Sequence, residues 1–470
     1  MSILSSAQVT TGQVRRRGAA GSGPLTRLNS IAGWSVFALV ALAPIPFGSN
    51  RPFFWALWAA AAGGIGLWFM LAAKMADEEL RVPVGEIRWP AAGFSVVFLV
   101  MLAQILPLGS LLPITFSTPF GETVRMATLS AAPGETLFAL LRWGTYGVVF
   151  FVMLQAGVQE KRSRMMLRGL VLVAVAEGAY ALVALTQLGD TILFFDKRYY
   201  QGAATGTFVN RNSLATFLGL GIVAAAALAT RRARSAGERG RKGRELPKVD
   251  RVRLLLLGAA MFLLFAALLA TQSRMGLLAT LAGVAAVVLL RPVGNRAVTA
   301  GLVIAGAVAV AFFYGSGVAE RALTTEASLQ YRLALYRQVV DMIVDRPLLG
   351  HGAGAFALTF PPFHTPALDM SVTWDHAHST YLALWSGLGV VVGTIPMVIV
   401  AAICLVIVRR SFSRGGASVE SAAALGATVT VALHSVVDFS LEIQAVALFY
   451  TALLAIGAAR PFSATARGGG

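Results

Sequence analysis

Apolar residues fall along the chain in long runs, separated by polar stretches that are rich in arginine and lysine. About twelve such runs can be drawn, each close to the roughly 20 residues that cross a bilayer core. They lie near 31–48, 53–75, 90–108, 136–157, 167–188, 208–229, 253–271, 276–290, 297–314, 380–408, 419–437 and 441–459. Lipid offers no partner to backbone N–H and C=O groups, so each run predicts an α-helix whose hydrogen bonds close within the segment. No ten-residue alternating pattern predicts a barrel. The pattern therefore predicts an all-α polytopic membrane protein of about twelve transmembrane helices.

Two connections are longer than the rest. Residues 230–252 are basic and contain Gly and Ser, and predict a solvated linker at the headgroups. Residues 315–379 form the longest loop, and within it Leu333, Leu335, Val339, Val340, Ile343 and Val344 recur at helical spacing. They predict an amphipathic helix that Pro347 ends. The expected organisation is a polar leader over 1–30, a six-helix half over 31–229, the linker over 230–252 and helices seven to nine over 253–314. The loop domain over 315–379, helices ten to twelve over 380–460 and a tail over 461–470 complete it.

Composition sharpens this picture. Of the 470 residues 57% are hydrophobic and 13% charged, against about 25% charged in a soluble domain. The net charge of +17 resembles that of a nucleic-acid binder, but cytoplasmic loops of membrane proteins also collect Lys and Arg. With the N-terminus placed in the cytoplasm, about 28 of the 39 basic residues fall on the inner side and every inner loop is basic. Both termini are therefore expected in the cytoplasm, the long loop on the outer face of the membrane, and no nucleic-acid partner. The first apolar run lies behind Arg15, Arg16, Arg17 and Arg27 and lacks a clear cleavage site for a signal peptide. The single cysteine, Cys404, excludes an intrachain disulfide framework.

Polar residues near membrane spans carry the chemical information, because lipid makes them costly unless they have a role. Four groups fall on the expected outer face. Gly206-Thr-Phe-Val-Asn210-Arg211-Asn212 ends beside a span, where Arg211 can snorkel to the headgroups or grip a phosphate. Thr271-Gln272-Ser273-Arg274-Met275-Gly276 places Arg274 at the interface, where it needs an anion, a carbonyl or a carboxylate partner. Trp374-Asp375-His376-Ala-His378-Ser379 offers histidines suited to proton transfer or to structure, and a weak metal-ligand spacing. His434 and Asp438, with Glu442 and Gln444 beyond, predict a helix-end pair of structural or functional use. Glu177 lies mid-span, available to a proton relay or to a hydrogen bond within the bundle. Gly350-His351-Gly352-Ala-Gly354 resembles a nucleotide loop only superficially, since it follows a helical stretch instead of a strand.

Taken in order, Gly206-Thr-Phe-Val-Asn-Arg-Asn, Ser273-Arg274-x-Gly276, the segment from Arg332 through Asp345-Arg-Pro-Leu-Leu-Gly350-His-Gly-Ala-Gly354, and His376-Ala-His378 resemble the O-antigen ligase and O-antigen polymerase superfamily of bacterial envelope glycan transferases. His378-Ser379 followed by Gly389 fits the family pattern, while Gly387 and Val392 depart from its usual residues. The resemblance implies a glycan donor on a polyprenyl diphosphate, an acceptor sugar hydroxyl on another glycan or on lipid A–core, and no cofactor or metal. It implies that Arg211 and Arg274 bind the diphosphate, that Arg332 adds a third anion contact or braces the loop, and that His378, with His376 as the fallback, orients or deprotonates the acceptor. Ligase and polymerase fit equally well. A transporter or flippase of lipid-linked glycan is the alternative, given twelve spans with a central basic linker.

Overall fold

The computed structural model describes residues 24–110, 115–117, 122–241, 247–292, 318–413 and 415–463. Helices α1 (Pro24–Leu42), α2 (Pro52–Met75), α3 (Arg88–Ile105), α4 (Pro133–Gly157), α5 (Glu160–Thr186), α6 (Arg211–Arg241), α7 (Lys248–Ala270) and α8 (Arg274–Leu290) precede the long connection. Helix α9 (Val318–Asp345) and the short α10 (Phe356–Thr359) lie within it. Helices α11 (Thr380–Leu388), α12 (Val390–Phe412), α13 (Val419–His434) and α14 (Gln444–Ser463) follow. Nine of the described helices have the length and apolarity to cross a membrane, and α8 and α13 are shorter apolar helices. The chain is an all-α polytopic membrane protein; the run near 297–314 lies outside the described residues. Sheet is confined to two antiparallel pairs among the described residues, Thr115–Ser117 with Thr123–Arg125 and Thr191–Ile192 with Phe195–Asp196.

Helices α6 and α14 are buried along nearly their whole apolar length and form the axis of the bundle. Helices α4, α8 and α13 pack directly on them, while α2, α3, α7 and α12 keep most of their apolar surface outward, as lipid-facing helices do. The core is rich in alanine and glycine, which lets backbones approach. A Cβ on Gly283 of α8 would stand 2.7 Å from the Gly426 carbonyl oxygen of α13. One end of the bundle carries the α9–α11 connection, and we call it the loop face.

Three element boundaries differ from those the hydropathy pattern predicts. Helix α1 begins at Pro24 instead of 31, inside the expected polar leader, because a hydropathy window does not register a polar first turn. Helix α6 continues to Arg241, so the first half of the expected 230–252 linker is a helical extension, and Asp250 at the start of α7 pairs with Arg232 at 3.4 Å. The expected span 380–408 is two helices, α11 and α12, broken at Gly389. Gly389 adopts φ +76°, a conformation that favours glycine, and an added Cβ would stand 2.2 Å from the Leu348 carbonyl oxygen.

The loop folds as its pattern predicts. Helix α9 ends at Asp345, two residues before Pro347, and its Leu335, Val339, Met342 and Ile343 form a small core with Phe356, Phe360 and Leu368. The glycine-rich stretch after it is a structural corner. The amides of His351 and Gly352 donate to the carbonyls of Ser386 and Gly387 at 2.8 and 3.0 Å, so they are not free to cradle a phosphate. Gly387 lies where this corner meets α11. Gln104 of α3 staples the corner to the bundle: its Nε2 donates to the Leu349 and Gly387 carbonyls at 2.8 and 2.9 Å, and its Oε1 accepts from Ala353 N at 3.1 Å. Replacing Gln104 with Ala removes these three hydrogen bonds; the Gly387 carbonyl keeps the Gly352 amide, while the Leu349 carbonyl and the buried Ala353 amide lose the partner named here, at about 1–3 kcal/mol for a buried group left unsatisfied. The apparent unfolding temperature of the Gln104→Ala protein in detergent is expected to fall by several degrees; an unchanged value would contradict the staple.

Candidate functional site

The site is built from three segments that meet on the loop face. The first is the turn that starts α6. Gly206 takes φ +58°, and an added Cβ would stand 2.2 Å from Glu177 Oε1. That contact is close because Glu177 holds the turn: Oε1 accepts from Thr207 N at 2.7 Å, and the Thr207 hydroxyl lies 3.1 Å from it and 2.7 Å from the Pro44 carbonyl oxygen. Glu177, open in the sequence to a proton relay, is therefore a brace within the bundle. Beyond the turn, Asn210 Oδ1 accepts from Asn212 N at 2.7 Å, and Asn210 Nδ2 donates to Tyr200 Oη at 3.2 Å. The Arg211 guanidinium lies 5.4 Å from the centre of the Tyr200 ring, and its buried Nε has no hydrogen-bond partner among the described residues.

The second segment is the turn between α13 and α14. Asp438 is almost fully buried. It accepts from Asn212 Nδ2 at 2.9 Å and from the Ser440 hydroxyl. His434 Nδ1 lies 2.6 Å from the Thr216 hydroxyl of α6. Helix α13 ends at His434, so His434 and Asp438 do not share one helical face as their spacing predicts; each reaches α6 instead.

The third segment is the loop end. His376 Nδ1 lies 3.0 Å from Glu442 Oε2, and its ring stacks on Phe439 at 3.9 Å and 6°. His378 meets the same Phe439 edge-on at 5.1 Å, and Trp374 at 5.7 Å. His378 adopts φ +51°, a left-handed conformation that costs a non-glycine residue about 1 kcal/mol or more. The Tyr336 hydroxyl lies 2.9 Å from the His378 carbonyl oxygen and 3.2 Å from that of Val436, tying α9 to both turns. Thr380 N donates to the Ser435 carbonyl at 3.0 Å and completes the dock.

The structure thus brings Arg211, Arg332, His376 and His378 to one place, with Asp438 among them. The charge of Arg332 reaches Tyr200, Tyr336 and His378 together. Arg274 stands one helix away. It begins α8 as Arg211 begins α6, and Gly276 of that first turn faces Ala215 of α6, where an added Cβ would come within 2.7 Å. Two neighbouring helix N-termini, each opening with an arginine, make a setting that favours an anion. Asn212, named in the sequence only as part of its motif, belongs to the site, as do Tyr200, Tyr336 and Phe439, which were not singled out from the sequence. Tyr336 had a signal, since it lies four residues beyond Arg332 on one helix face; Tyr200 and Phe439 lie in connections and had none. No group of three His, Cys, Asp or Glu side chains suited to a metal ion gathers among the described residues.

A cavity of about 1070 Å³ opens beside this cluster and descends among the helices. His376, Glu442 and Arg142 stand at its polar end, and the remainder is mostly apolar.

Residues 259–397 match the family model described as O-antigen ligase, so the chain carries an O-antigen ligase-family domain, within the superfamily that its motifs resemble. The matched stretch includes Arg274, Arg332, His376 and His378, whereas Arg211, Asp438 and Glu442 lie outside it. No curated protein matches the chain.

Burial pushes the His378 imidazole below its ordinary pKa of 6.5. The Asp438 carboxylate opposes this, His376 and Arg332 add to it, and Glu442 opposes it. His378 is therefore neutral at pH 7 and gains its proton only as the pH falls through that lowered value. In an NMR titration of histidine-labelled protein, His378 is expected to titrate below 6.5. Asp438→Asn should move it lower still, because the charge that favours the imidazolium is gone. A titration at or above the ordinary value would contradict the burial described.

Proposed function

We propose that this O-antigen ligase-family chain is a glycosyltransferase of the bacterial inner membrane that acts in surface glycan biosynthesis. It transfers a glycan from a polyprenyl-diphosphate donor to a sugar hydroxyl at the periplasmic face, as ligase or polymerase. The observation that carries the reading is the juxtaposition of Arg211, with its buried unpartnered Nε over Tyr200, and a neutral histidine, His378, in one cluster. A diphosphate leaving group needs cations, and a sugar hydroxyl needs a proton acceptor. The loop face then lies in the periplasm and both termini in the cytoplasm, as the basic inner loops support.

In the proposed reaction the diphosphate of the donor lies at the N-termini of α6 and α8, held by Arg211 and Arg274, with Arg332 as a third cation on the loop side. The acceptor hydroxyl donates its proton to His378, its oxygen bonds to the anomeric carbon, and the bond from that carbon to the phosphate oxygen breaks. The electron pair leaves with the diphosphate, whose growing charge the arginines stabilise. A single displacement of this kind inverts the anomeric centre. The leaving group carries the energy of transfer, so the proposed reaction uses neither nucleotide nor metal. A neutral hydroxyl is a weak nucleophile, and fixing donor and acceptor in contact supplies much of the acceleration. The Tyr336 and Thr380 contacts hold the His378 segment for that purpose.

The test is reconstitution of the purified protein with a polyprenyl-diphosphate glycan, without nucleotide or metal, and mass analysis of the products. The expected result is a new glycosidic product together with free polyprenyl diphosphate. Longer lipid-linked glycans identify a polymerase, and product formed only with lipid A–core identifies a ligase. Movement of the lipid across the bilayer without a glycosidic product would replace this reading with the transporter. Arg211→Ala, Arg274→Ala and His378→Ala should each lower transfer by about 10²–10³-fold or more while the protein still inserts. Wild-type rates in all three would sink the assignment.

A further inference from the structure

The end of the bundle opposite the loop face gathers arginines that the proposed chemistry does not use. Helices α5 and α7 begin there, and α6 ends there. Arg168 of α5 lies within electrostatic reach of Arg231 and Arg232 of α6 and of Arg253 of α7. We propose that these four arginines bind the phosphodiester headgroup of an anionic phospholipid, whose acyl chains lie along α5 and α7. The site is far from the loop-face cluster and does not rest on the transferase reading.

Three observations carry it. The first is charge that this end of the protein leaves unneutralised. Glu160 pairs with Arg164 and, at 2.8 Å, with Arg460, and Glu420 lies 3.6 Å from Arg164. Glu160 also feels the charge of Arg231, but two other arginines already divide it. Asp250 lies 3.4 Å from Arg232 and 3.8 Å from Arg253, so one carboxylate serves two cations. Neither Arg168 nor Arg231 makes an ion pair with a carboxylate among the described residues. Guanidinium forks of this kind match phosphate oxygens.

The second is the way α7 leaves the bundle. Its buried residues are Leu264, Ala267 and Leu268, all toward the loop face. There a Cβ on Gly178 of α5 would meet Leu263 and Ala267 at 3.3 and 3.4 Å. From Lys248 to Leu256, by contrast, every residue except Asp250 is exposed. The first turns of α7 therefore stand clear of protein packing, and the arginines are open to the surrounding lipid from the side.

The third is the apolar surface that adjoins the cations. Arg168 is exposed on α5 between Met165, three residues before it, and Leu172, four residues after it, so all three share one face. Leu172 is 67% exposed, and Leu255 and Leu256 of α7 are 73% and 65% exposed. A free anion would satisfy the arginines and leave this apolar surface bare, whereas a phospholipid covers both. A zwitterionic headgroup would bring its own cation against four arginines, so the charge selects an anionic lipid. Basic pockets between membrane helices recognise anionic headgroups on these terms.

Native mass spectrometry of the full-length protein in detergent, titrated with cardiolipin, tests the proposal. Wild type is expected to retain one tightly bound cardiolipin and to prefer it to phosphatidylcholine. Arg168→Ala combined with Arg253→Ala should weaken that copy about tenfold or more. Arg168→Lys combined with Arg253→Lys should keep most of it. Arg409→Ala should change nothing, since Arg409 is exposed at the same end of the bundle but belongs to α12. Full binding by the double alanine variant would overturn the site. An equal loss in Arg409→Ala would overturn it in favour of a diffuse basic surface. Two further arms use wild type alone. Equal affinity for phosphatidylcholine would contradict recognition by charge, and displacement of the bound cardiolipin by millimolar inorganic phosphate would replace the lipid with a free anion.

Discussion

Asp438 is a carboxylate with almost no access to solvent, and Asn212 and Ser440 supply its hydrogen bonds. A buried charge of this kind is tolerated only where its partners are fixed, so it constrains everything that touches it. Asn212 belongs to the first turn of α6, and Asp438 to the turn between α13 and α14. The backbone carbonyls of Ser435 and Asp438 receive the amide of Thr380, at the start of α11. The three segments that carry Arg211, the α13–α14 turn and the histidine pair are thus joined through one residue. Helix α9 closes the arrangement from above through Tyr336, and brings Arg332 with it.

The chemistry proposed for this cluster follows from how each group is held. His378 stays neutral because burial outweighs the nearby carboxylates. His376 is held by Glu442 on one edge and by Phe439 on its face. Arg211 keeps a buried Nε without a hydrogen-bond partner among the described residues, while its guanidinium rests near Tyr200. An oriented cation beside an oriented neutral base can act on a substrate that carries both a negative leaving group and a hydroxyl. The glycine-rich corner and Gln104 set the distance between α3 and the loop, and so shape the space beside the histidines.

The membrane helices were readable because twenty consecutive apolar residues have few other uses, and the amphipathic α9 was readable from its spacing and from Pro347. The break at Gly389 was not, because Val390 to Val392 continue the apolar run and hydropathy carries no information on φ. Arg211, Arg274 and the histidine pair were legible one by one, since polar residues at the ends of apolar runs stand out. Their grouping on one face followed from the topology and the family resemblance, but the contacts that hold them together were not legible. Asn212 meets Asp438 across 226 positions, and no local pattern encodes that pairing. The roles of Gly206 and Glu177 also emerged only in three dimensions, where one leaves room for the carboxylate of the other. Arg142 escaped notice because an arginine in the second turn of a span is ordinarily read as snorkelling.

The central claim is that the cations at the starts of α6 and α8 hold a diphosphate within reach of His378. The most direct measurement is a cryo-EM structure of the protein with a polyprenyl-diphosphate glycan bound to the His378→Ala variant. The account predicts the two phosphates against Arg211 and Arg274, with the anomeric carbon facing the vacated imidazole position. Phosphate density on the opposite face of the bundle, or a glycan directed away from residue 378, would contradict it.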